Sequence, residues 1–410
     1  MTIAPELALL TVTTVRISDP GPLLDLLPAE RPLAWVTGDD GMVGWGEAAR
    51  FDVTGPDRFE QAHRWWQALT ADSVVLDEVG LAGCGLVAFG SFAFDPLAGS
   101  SALIVPEVVV GRRDGHWWLT TVDGASPSLR PTAPPAAPGT VRFADGSRTP
   151  TAWTSLVGDV VARIRAGEVG KVVLARDLEA RLDEPLDVRW PLQRLAEGYP
   201  GCWTFSVDGL FGATPELLVR LEEGLVTSRV LAGTVRRTGT ADGTQAAALA
   251  RSSKDLEEHA YAVRSVADSL SAHCASVDVP PAPFVLHLQN VLHLASVVTG
   301  VVADGATSLA LLSSLHPSAA VCGTPTAGAM AVIREVEGLD RGRYAGPVGW
   351  LDAAGDGEWG IALRCAEVDP RDARRLRLFA GCGIVAGSRP EQELAETAAK
   401  LVPVRDALQT

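Results

Sequence analysis

From Cys202 to Val230 the chain runs through three strand-like stretches, Cys202–Val207, Glu216–Leu221 and Val226–Val230, joined by short turns. This spacing is the strongest constraint on the fold. Parallel neighbours need a crossover of a dozen or more residues, whereas antiparallel neighbours need only a turn. The long amphipathic segments follow these strands and do not alternate with them. The chain therefore reads as α+β with large, mostly antiparallel sheets, and not as an alternating βαβ protein. Further strand-like runs lie at Leu33–Val36, Ser101–Val110, Trp117–Val122 and Lys171–Ala175, with helical stretches at Asp57–Leu69 and Trp153–Ala166. No internal repeat is legible.

Two helices carry clear start signals. Ser252 and Asp255 form a capping-box-like pair, followed by Leu256, Ala260, Val263, Ala267 and Leu270 at helical spacing. The last helix is expected to open after Ser388, with Pro390 in its first turn and Glu391 three residues beyond the serine. The segment Ala125–Thr140, ASPSLRPTAPPAAPGT, holds five prolines and almost no large apolar side chains. It reads as an irregular surface connection.

Composition narrows the partners. With 410 residues, 47% of them hydrophobic, the chain has apolar material for a large core. Its 50 acidic and 35 basic residues leave a formal charge of −15, which would be repelled by phosphate backbones and anionic lipid headgroups. Nucleic acid and membrane surfaces are therefore not expected as partners. The six cysteines form no C-x-x-C pair, so neither a disulfide scaffold nor a zinc site is expected, and a reducing cytoplasm fits. The first residues, MTIAPELALLTVTTVRI, lack a basic start and a cleavable apolar run, and no stretch approaches the ~18 apolar residues needed to span a bilayer.

Within this acidic chain a few charged residues stand in unusual places. Lys171 begins the apolar run KVVLAR, where a lysine either snorkels to the surface or sits where burial suits it to general-base use. Glu216 follows Thr-Pro and precedes an apolar strand, an awkward place for a charge without a partner or a proton. Glu393, Glu396 and Lys400 share one face of the last helix, beside Leu394, Ala398 and Leu401, and Glu258 lies off the apolar face of its own helix. Taken alone, such patterns describe solvated, salt-bridged faces. LAGTVRR and LFAGCGIVAGS read as two glycine turns, either simple tight turns or places where backbone N–H groups approach an anion.

Together these residues carry a resemblance. KVVLAR, GATPELL, LAGTVRR, SSKDLEEHAYAV, NVLHLAS, HPSAAVCGTP, YAGPVGW, ALRCAEV, FAGCGIVAGS and PEQELAETAAK resemble the ordered blocks of the chorismate-utilising enzymes. The resemblance implies one large unit of two extensive sheets packed face to face with helices outside. Residues 1–150 would be its variable N-terminal part and 151–410 the chorismate-binding catalytic core. It further implies Lys171 as the base that activates water, Glu216 as the acid, and Glu258 and Glu396 as magnesium ligands, with Glu393 a further metal partner through water. Gly233, Thr234, His293, Ala320, Tyr344, Arg364, Gly381 and Lys400 match positions around the substrate, although a core histidine would look the same as His293.

The implied chemistry is transfer of a hydroxyl, with water adding at C2 of chorismate as the C4 hydroxyl leaves. Magnesium suits the two carboxylates because it favours oxygen ligands and is often held by one or two of them. Arg364 would hold the enolpyruvyl carboxylate through its planar fork, helped by the Gly381 amide, and Lys400 would add positive charge. Anthranilate-type relatives carry glutamine at the Lys171 position, and ammonia-using relatives have a different turn where this chain reads HPSAAVCGTP. Ala320 in that turn matches the isochorismate-forming branch. Salicylate formation is the alternative within the family, and a non-catalytic chorismate-binding protein is the alternative outside catalysis. The same resemblance implies no glutaminase subunit, and a monomer is expected.

Overall fold

The computed structural model describes residues 9–237 and 242–409. The chain before the Pro-rich segment forms β1 (Thr11–Arg16), β2 (Leu33–Thr37), β3 (Asp40–Trp45), β4 (Ala49–Val53), α1 (Arg58–Asp72), β5 (Val74–Asp77), β6 (Val87–Ser91), β7 (Ser101–Val105), β8 (Val108–Arg113) and β9 (His116–Val122). After it come β10 (Val141–Asp145), α2 (Pro150–Arg165), β11 (Lys171–Leu182), α3 (Arg189–Gly198), β12 (Trp203–Val207), β13 (Leu210–Thr214), β14 (Leu217–Glu222) and β15 (Leu225–Arg236). Next are α4 (Asp242–Leu249), α5 (Ser253–Ser271), β16 (Cys274–Asp278), β17 (Phe284–His287), β18 (Val291–Val302), α6 (Ser308–Leu315), β19 (Gly323–Thr324) and α7 (Thr326–Val336). The chain closes with β20 (Pro347–Asp352), β21 (Gly357–Ile361), β22 (Cys365–Val368), β23 (Arg375–Ile384) and α8 (Pro390–Leu408).

The strands form two sheets, mostly antiparallel as expected. The larger runs β10-β11-β23-β22-β13-β12-β2-β3-β8-β9-β1-β5, with β19 also on β11. The smaller runs β16-β18-β15-β14-β21-β20-β6-β7-β4, with β17 on β18. The pairing of β1 with β5 is parallel. A single hydrophobic cluster joins the sheets, with Trp35 and Phe205 from one and Phe89, Leu103 and Trp359 from the other. Trp35 reaches so far across that a Cβ on Gly360 would lie 2.9 Å from its ring. Burying aromatic side chains of this size between two apolar faces is the main stabilising contribution available to such a layered fold.

Although no repeat was legible in the sequence, the topology contains one. The chain pairs β2 with β3, β3 with β8, β8 with β9, β6 with β7 and β7 with β4. It then pairs β12 with β13, β13 with β22, β22 with β23, β20 with β21 and β21 with β14 in the same pattern. The two sets meet where β12 pairs with β2 and β20 pairs with β6. Both sheets thus draw strands from either side of the Pro-rich segment, which is irregular and mostly exposed.

Several local expectations are corrected. Ser101–Val110 is not one strand: Pro106, which has no N–H to give a ladder, separates β7 in the smaller sheet from β8 in the larger. In α5 the Ser252 cap forms, its side chain accepting from Asp255 N, but the buried line is His259, Ala262, Val263, Val266 and Leu270. Leu256 instead joins a small cluster with Leu292 and Leu294. The last helix does open after Ser388 with Pro390 in its first turn, although Arg389 takes the cap position without a side-chain bond and the Ser388 hydroxyl accepts from Val385 N. Glu393, Thr397, Leu401 and Val404 are buried on α8, whereas Ala398 is exposed and Leu394 only half-buried.

Candidate active site

The site lies where the chain changes sheets. Pro215 and Glu216 link β13 in the larger sheet to β14 in the smaller, and Ala362–Arg364 links β21 back to β22. The two links run side by side, with Ile361 N donating to Glu216 O and Ala213 N to Arg364 O, both at 3.2 Å. A strand that leaves one sheet for the other loses its ladder partners, so side chains from both layers converge on the gap. Arg364 is held at φ 49°, a left-handed conformation that costs a non-glycine residue about 1–3 kcal/mol and points to a functional constraint.

The cavity at this junction is lined by Glu216, Gly233, Thr234, Glu258, His293, Ala320, Tyr344, Arg364, Gly381, Glu396 and Lys400, together with Val173, Pro215, Leu363, Arg341, Cys382 and Gly383 among others. Every site residue expected from the sequence is therefore on its wall except Lys171 and Glu393. Lys171 lies just behind. It is 1% exposed, so it does not snorkel, and its ammonium is 3.2 Å from Oε1 of Glu258 on the wall. Glu393 is 3% exposed and packs by Cys382, whose Sγ donates to the Glu393 backbone carbonyl at 3.9 Å.

Gly233, Gly381 and Gly383 do not lie in turns; of the two glycine motifs only the end of the second, Ala386–Gly387, turns, closed by Ser388 N donating to Val385 O at 3.0 Å. Gly233 is the extra residue of a β-bulge inside β15: Ala232 opposes Leu294 and Thr234 opposes His293 on β18. Its φ of +79° is the left-handed conformation such bulges favour. The bulge sets Thr234 directly across from His293, and their side chains bond, Oγ1 to Nδ1, at 3.0 Å. Gly381 and Gly383 lie two apart on β23 and so share a face. A Cβ at Gly383 would fall 2.5 Å from Glu258 Oε1 and 2.8 Å from Lys171 Cε, so the absence of a side chain makes room for that ion pair.

Donor chemistry fixes the direction of one hydrogen-bond chain. A guanidinium only donates, so the 3.0 Å contact between Arg364 Nη2 and His293 Nε2 makes Nε2 the acceptor. The proton of the neutral ring then sits on Nδ1 and is given to Thr234 Oγ1. Burial, aided by Arg364 and Lys400, holds His293 well below the usual imidazole range, which keeps the ring neutral. Among the described residues Arg364 has no carboxylate at ion-pair distance, whereas Lys171 is paired with Glu258 and Lys400 with Glu396 at 2.7 Å. Arg364 is thus the cation with charge to spare for an anionic ligand.

Glu216 is buried, and desolvation pushes its carboxyl up to about 7 against the opposing pull of Arg364, Lys171 and Lys400. A substantial fraction is protonated at neutral pH. Burial likewise raises the Tyr344 phenol, whose ring stacks on Phe379 at 5.2 Å. Lys400 also donates to Gly381 O at 2.9 Å, on the edge of β23 that β22 leaves open after Leu378. The N–H and C=O of a strand residue face the same edge, so the Gly381 amide faces the cavity side as well.

Among the described residues no group of three or more His, Cys, Asp or Glu is arranged to hold a metal. Two carboxylates on separate helices, Glu258 of α5 and Glu396 of α8, do share the wall. That donor set fits magnesium, which completes its shell with water and ligand oxygens, and it does not fit zinc. Arg341 and Gly383 were not singled out from the sequence. The G-x-G alternation of AGCGI was a usable signal for Gly383, since residues two apart on a strand face one way. Arg341 had none, because its role depends on chain segments distant in sequence.

A buried protonatable carboxyl, a guanidinium without an ion-pair partner among the described residues and two carboxylates thus meet at one sheet junction, with a buried lysine just behind. The chain belongs to the chorismate binding enzymes, the family that matches residues 32–409. It is 42% identical over 254 residues to isochorismate synthase DhbC of Bacillus subtilis, a match spanning 58% of this chain and 63% of that protein. It is 33% identical over 412 residues to the salicylate biosynthesis isochorismate synthase of Pseudomonas aeruginosa, covering 92% of this chain and 84% of that protein. The solved structure of MenF, the menaquinone-specific isochorismate synthase of Escherichia coli, matches with a TM-score of 0.79 at 26% identity, covering 98% of this chain and 95% of that one.

Proposed function

We propose that the chain is an isochorismate synthase, an isomerase that interconverts chorismate and isochorismate. The observation that carries this is Glu216, a buried carboxyl raised to about 7, on the same wall as the Glu258 that pairs with Lys171. Lys171 in its neutral amine form takes a proton from water as the water oxygen bonds to C2. The double bonds shift, and the C4–O bond breaks as Glu216 gives its proton to the departing hydroxyl. One water is consumed and one released, so the net change is an isomerisation. Hydroxide is a poor leaving group, and this is why the acid must be protonated near pH 7.

Arg364 and the Gly381 amide receive one substrate carboxylate. Thr234 accepts from His293 and so keeps its own hydroxyl proton for a substrate acceptor. Glu258 and Glu396 would hold magnesium, which would supply positive charge to neutralise the ring carboxylate; Glu393, off the wall, could reach that ion only through water. Lys400 adds positive charge beside Glu396. We further infer a cytoplasmic monomer that needs no glutaminase subunit, since water requires no ammonia channel, with residues 1–150 a variable part and 151–410 the catalytic core.

The test is incubation of the protein with chorismate and magnesium, followed by product identification. Isochorismate as the main product is expected, and it should disappear in excess chelator. Salicylate and pyruvate as main products would move the assignment to salicylate synthase, an aminated product in ammonium buffer would move it to another branch, and binding without turnover would make the chain a non-catalytic chorismate-binding protein.

A further inference from the structure

The edge of β11 facing β19 and β10 has a gap. Lys171 and Val172 pair with Thr324 and Gly323 of β19, and Leu178–Leu182 pair with β10, but neither strand spans the residues between. Unpaired strand groups at a buried edge are costly, so something must complete them. Val173 N donates to Cys322 O at 2.8 Å. Side chains then take over: Arg341 Nη2 donates to Val173 O at 2.7 Å, Ala175 N donates to Glu337 Oε2 at 2.8 Å, and Trp153 Nε1 donates to Ala175 O at 3.1 Å.

Arg341 and Glu337 form a two-pronged ion pair, Nε to Oε1 and Nη2 to Oε2, both 2.6 Å, with side chains 3% and 1% exposed. The remaining geometry ties this pair to two more walls. Arg341 Nη1 donates to Val321 O at 3.2 Å, beside Ala320, and Tyr344 N donates to Arg341 O at 3.0 Å. Four of the five guanidinium N–H groups are therefore spent inside the protein, and the charge is matched by Glu337. Although Arg341 lines the cavity, it is not a second anchor for an anion in the manner of Arg364.

We propose that the Arg341–Glu337 pair is the positioning device that holds the strand of Lys171 at its working distance from the Ala320 turn and the Tyr344 wall. It touches no reacting atom. It acts through Lys171, and to that extent it rests on the assignment of Lys171 as base. A planar fork is required, because one group must reach Glu337, Val173 O and Val321 O at once, which a single ammonium cannot do in the same geometry.

The test measures kcat and KM for chorismate, and magnesium affinity by calorimetry, for Arg341→Lys, Glu337→Gln and Lys171→Ala, normalised to folded protein by circular dichroism. Displacement of a catalytic group by ~1 Å costs about 10²-fold. Arg341→Lys is expected to lower kcat by about 10- to 100-fold with KM and magnesium affinity within about threefold, because Arg364, Gly381 and the two carboxylates stand on other segments. Glu337→Gln, which keeps one oxygen acceptor, should show the same split to a lesser degree, and it carries the test if Arg341→Lys does not fold. An unchanged kcat per folded molecule in Glu337→Gln would reduce the pair to a stabilising role and overturn the proposal. A raised KM with unchanged kcat would make Arg341 a substrate anchor and overturn it too. Near-normal turnover by Lys171→Ala would instead sink the assignment of the base, a separate failure.

Discussion

The two halves of the topological repeat cross between the sheets at matching places and do different things there. In the first half β3 passes to β4 through Gly46–Ala48 and β7 passes to β8 through Pro106–Glu107. Glu47 and Glu107 are exposed at these crossings, and Glu47 makes only surface pairs with Arg31 and Arg50 at 3.5 Å. In the second half the equivalent crossings carry Glu216 and Arg364, at 6% and 7% exposure. The difference lies in what covers the crossing. The second half extends the smaller sheet with β15 and β18, and lays α5 against β15 and α8 against β23, so its junction is roofed and dry enough to shift a carboxyl to about 7. A crossing supplies convergence, but burial supplies the chemistry.

Substitutions at both pairs of crossings would break this contrast if it is wrong. The largest effects belong to Lys171→Ala and Glu216→Gln, each expected to cost about 10²–10⁴ in kcat in both directions of the reaction, since acid and base exchange roles in reverse. Turnover assays with chorismate and with isochorismate read this out, and near-normal rates in either variant would contradict it. Gly383→Ala comes next. The added Cβ would lie 2.5 Å from Glu258 Oε1, so Lys171 and Glu258 must move, and a loss of about 10- to 100-fold is expected with the fold retained by circular dichroism.

A smaller effect concerns stability, and its sign opposes the effect on activity. The folded Glu216 carboxyl is raised from an ordinary 4.5 to about 7, so between these values the native state binds more protons than the unfolded state. Stability therefore falls as pH rises through this window, and above pH 7 the whole cost of holding the charge buried is present, on the order of 3 kcal/mol. Glu216→Gln should thus lose most of its turnover yet gain stability over the parent between pH 5 and pH 8, as urea unfolding at the two pH values would show. Equal pH dependence in both proteins would mean that the carboxyl is not desolvated. The smallest effect is expected at the first-half crossing, where Glu47→Gln should change stability by less than about 1 kcal/mol and leave turnover unchanged. A large loss of turnover there would mean that the two junctions are coupled.

Two residues of the site were legible because they break local rules, and the rest were named only by the resemblance. A lysine opening an apolar strand and a glutamate trapped between proline and an apolar run are costly unless something distant satisfies them, and each lies at or just behind the cavity wall. Residues that obey local rules were misread. LAGTVRR and LFAGCGIVAGS look like turns, yet the first holds a bulge within a long strand and the second places Gly381 and Gly383 in mid-strand, turning only at Ala386–Gly387. Glu393 lies on the same helical stripe as Glu396 and Lys400, but α8 rests against β23 in such a way that Glu393 is buried by Cys382 and off the wall.

From sequence alone came the α+β class, the antiparallel sheets and the start of α5, because turn length and capping are local signals, whereas most of the candidate wall came from the resemblance of the ordered motifs to the chorismate-utilising enzymes. The repeat of strand pairing, the placement of Glu216 and Arg364 at adjoining sheet crossings, the pairing of Lys171 with Glu258 and the clamp of Arg341 and Glu337 on β11 were decided only in three dimensions. Each depends on which strands become neighbours across long stretches of chain, as when Arg341 meets Val173 from 168 positions away. Which edge a strand leaves unpaired, and how dry the space beside it becomes, are properties of the packed layers and not of any segment within them.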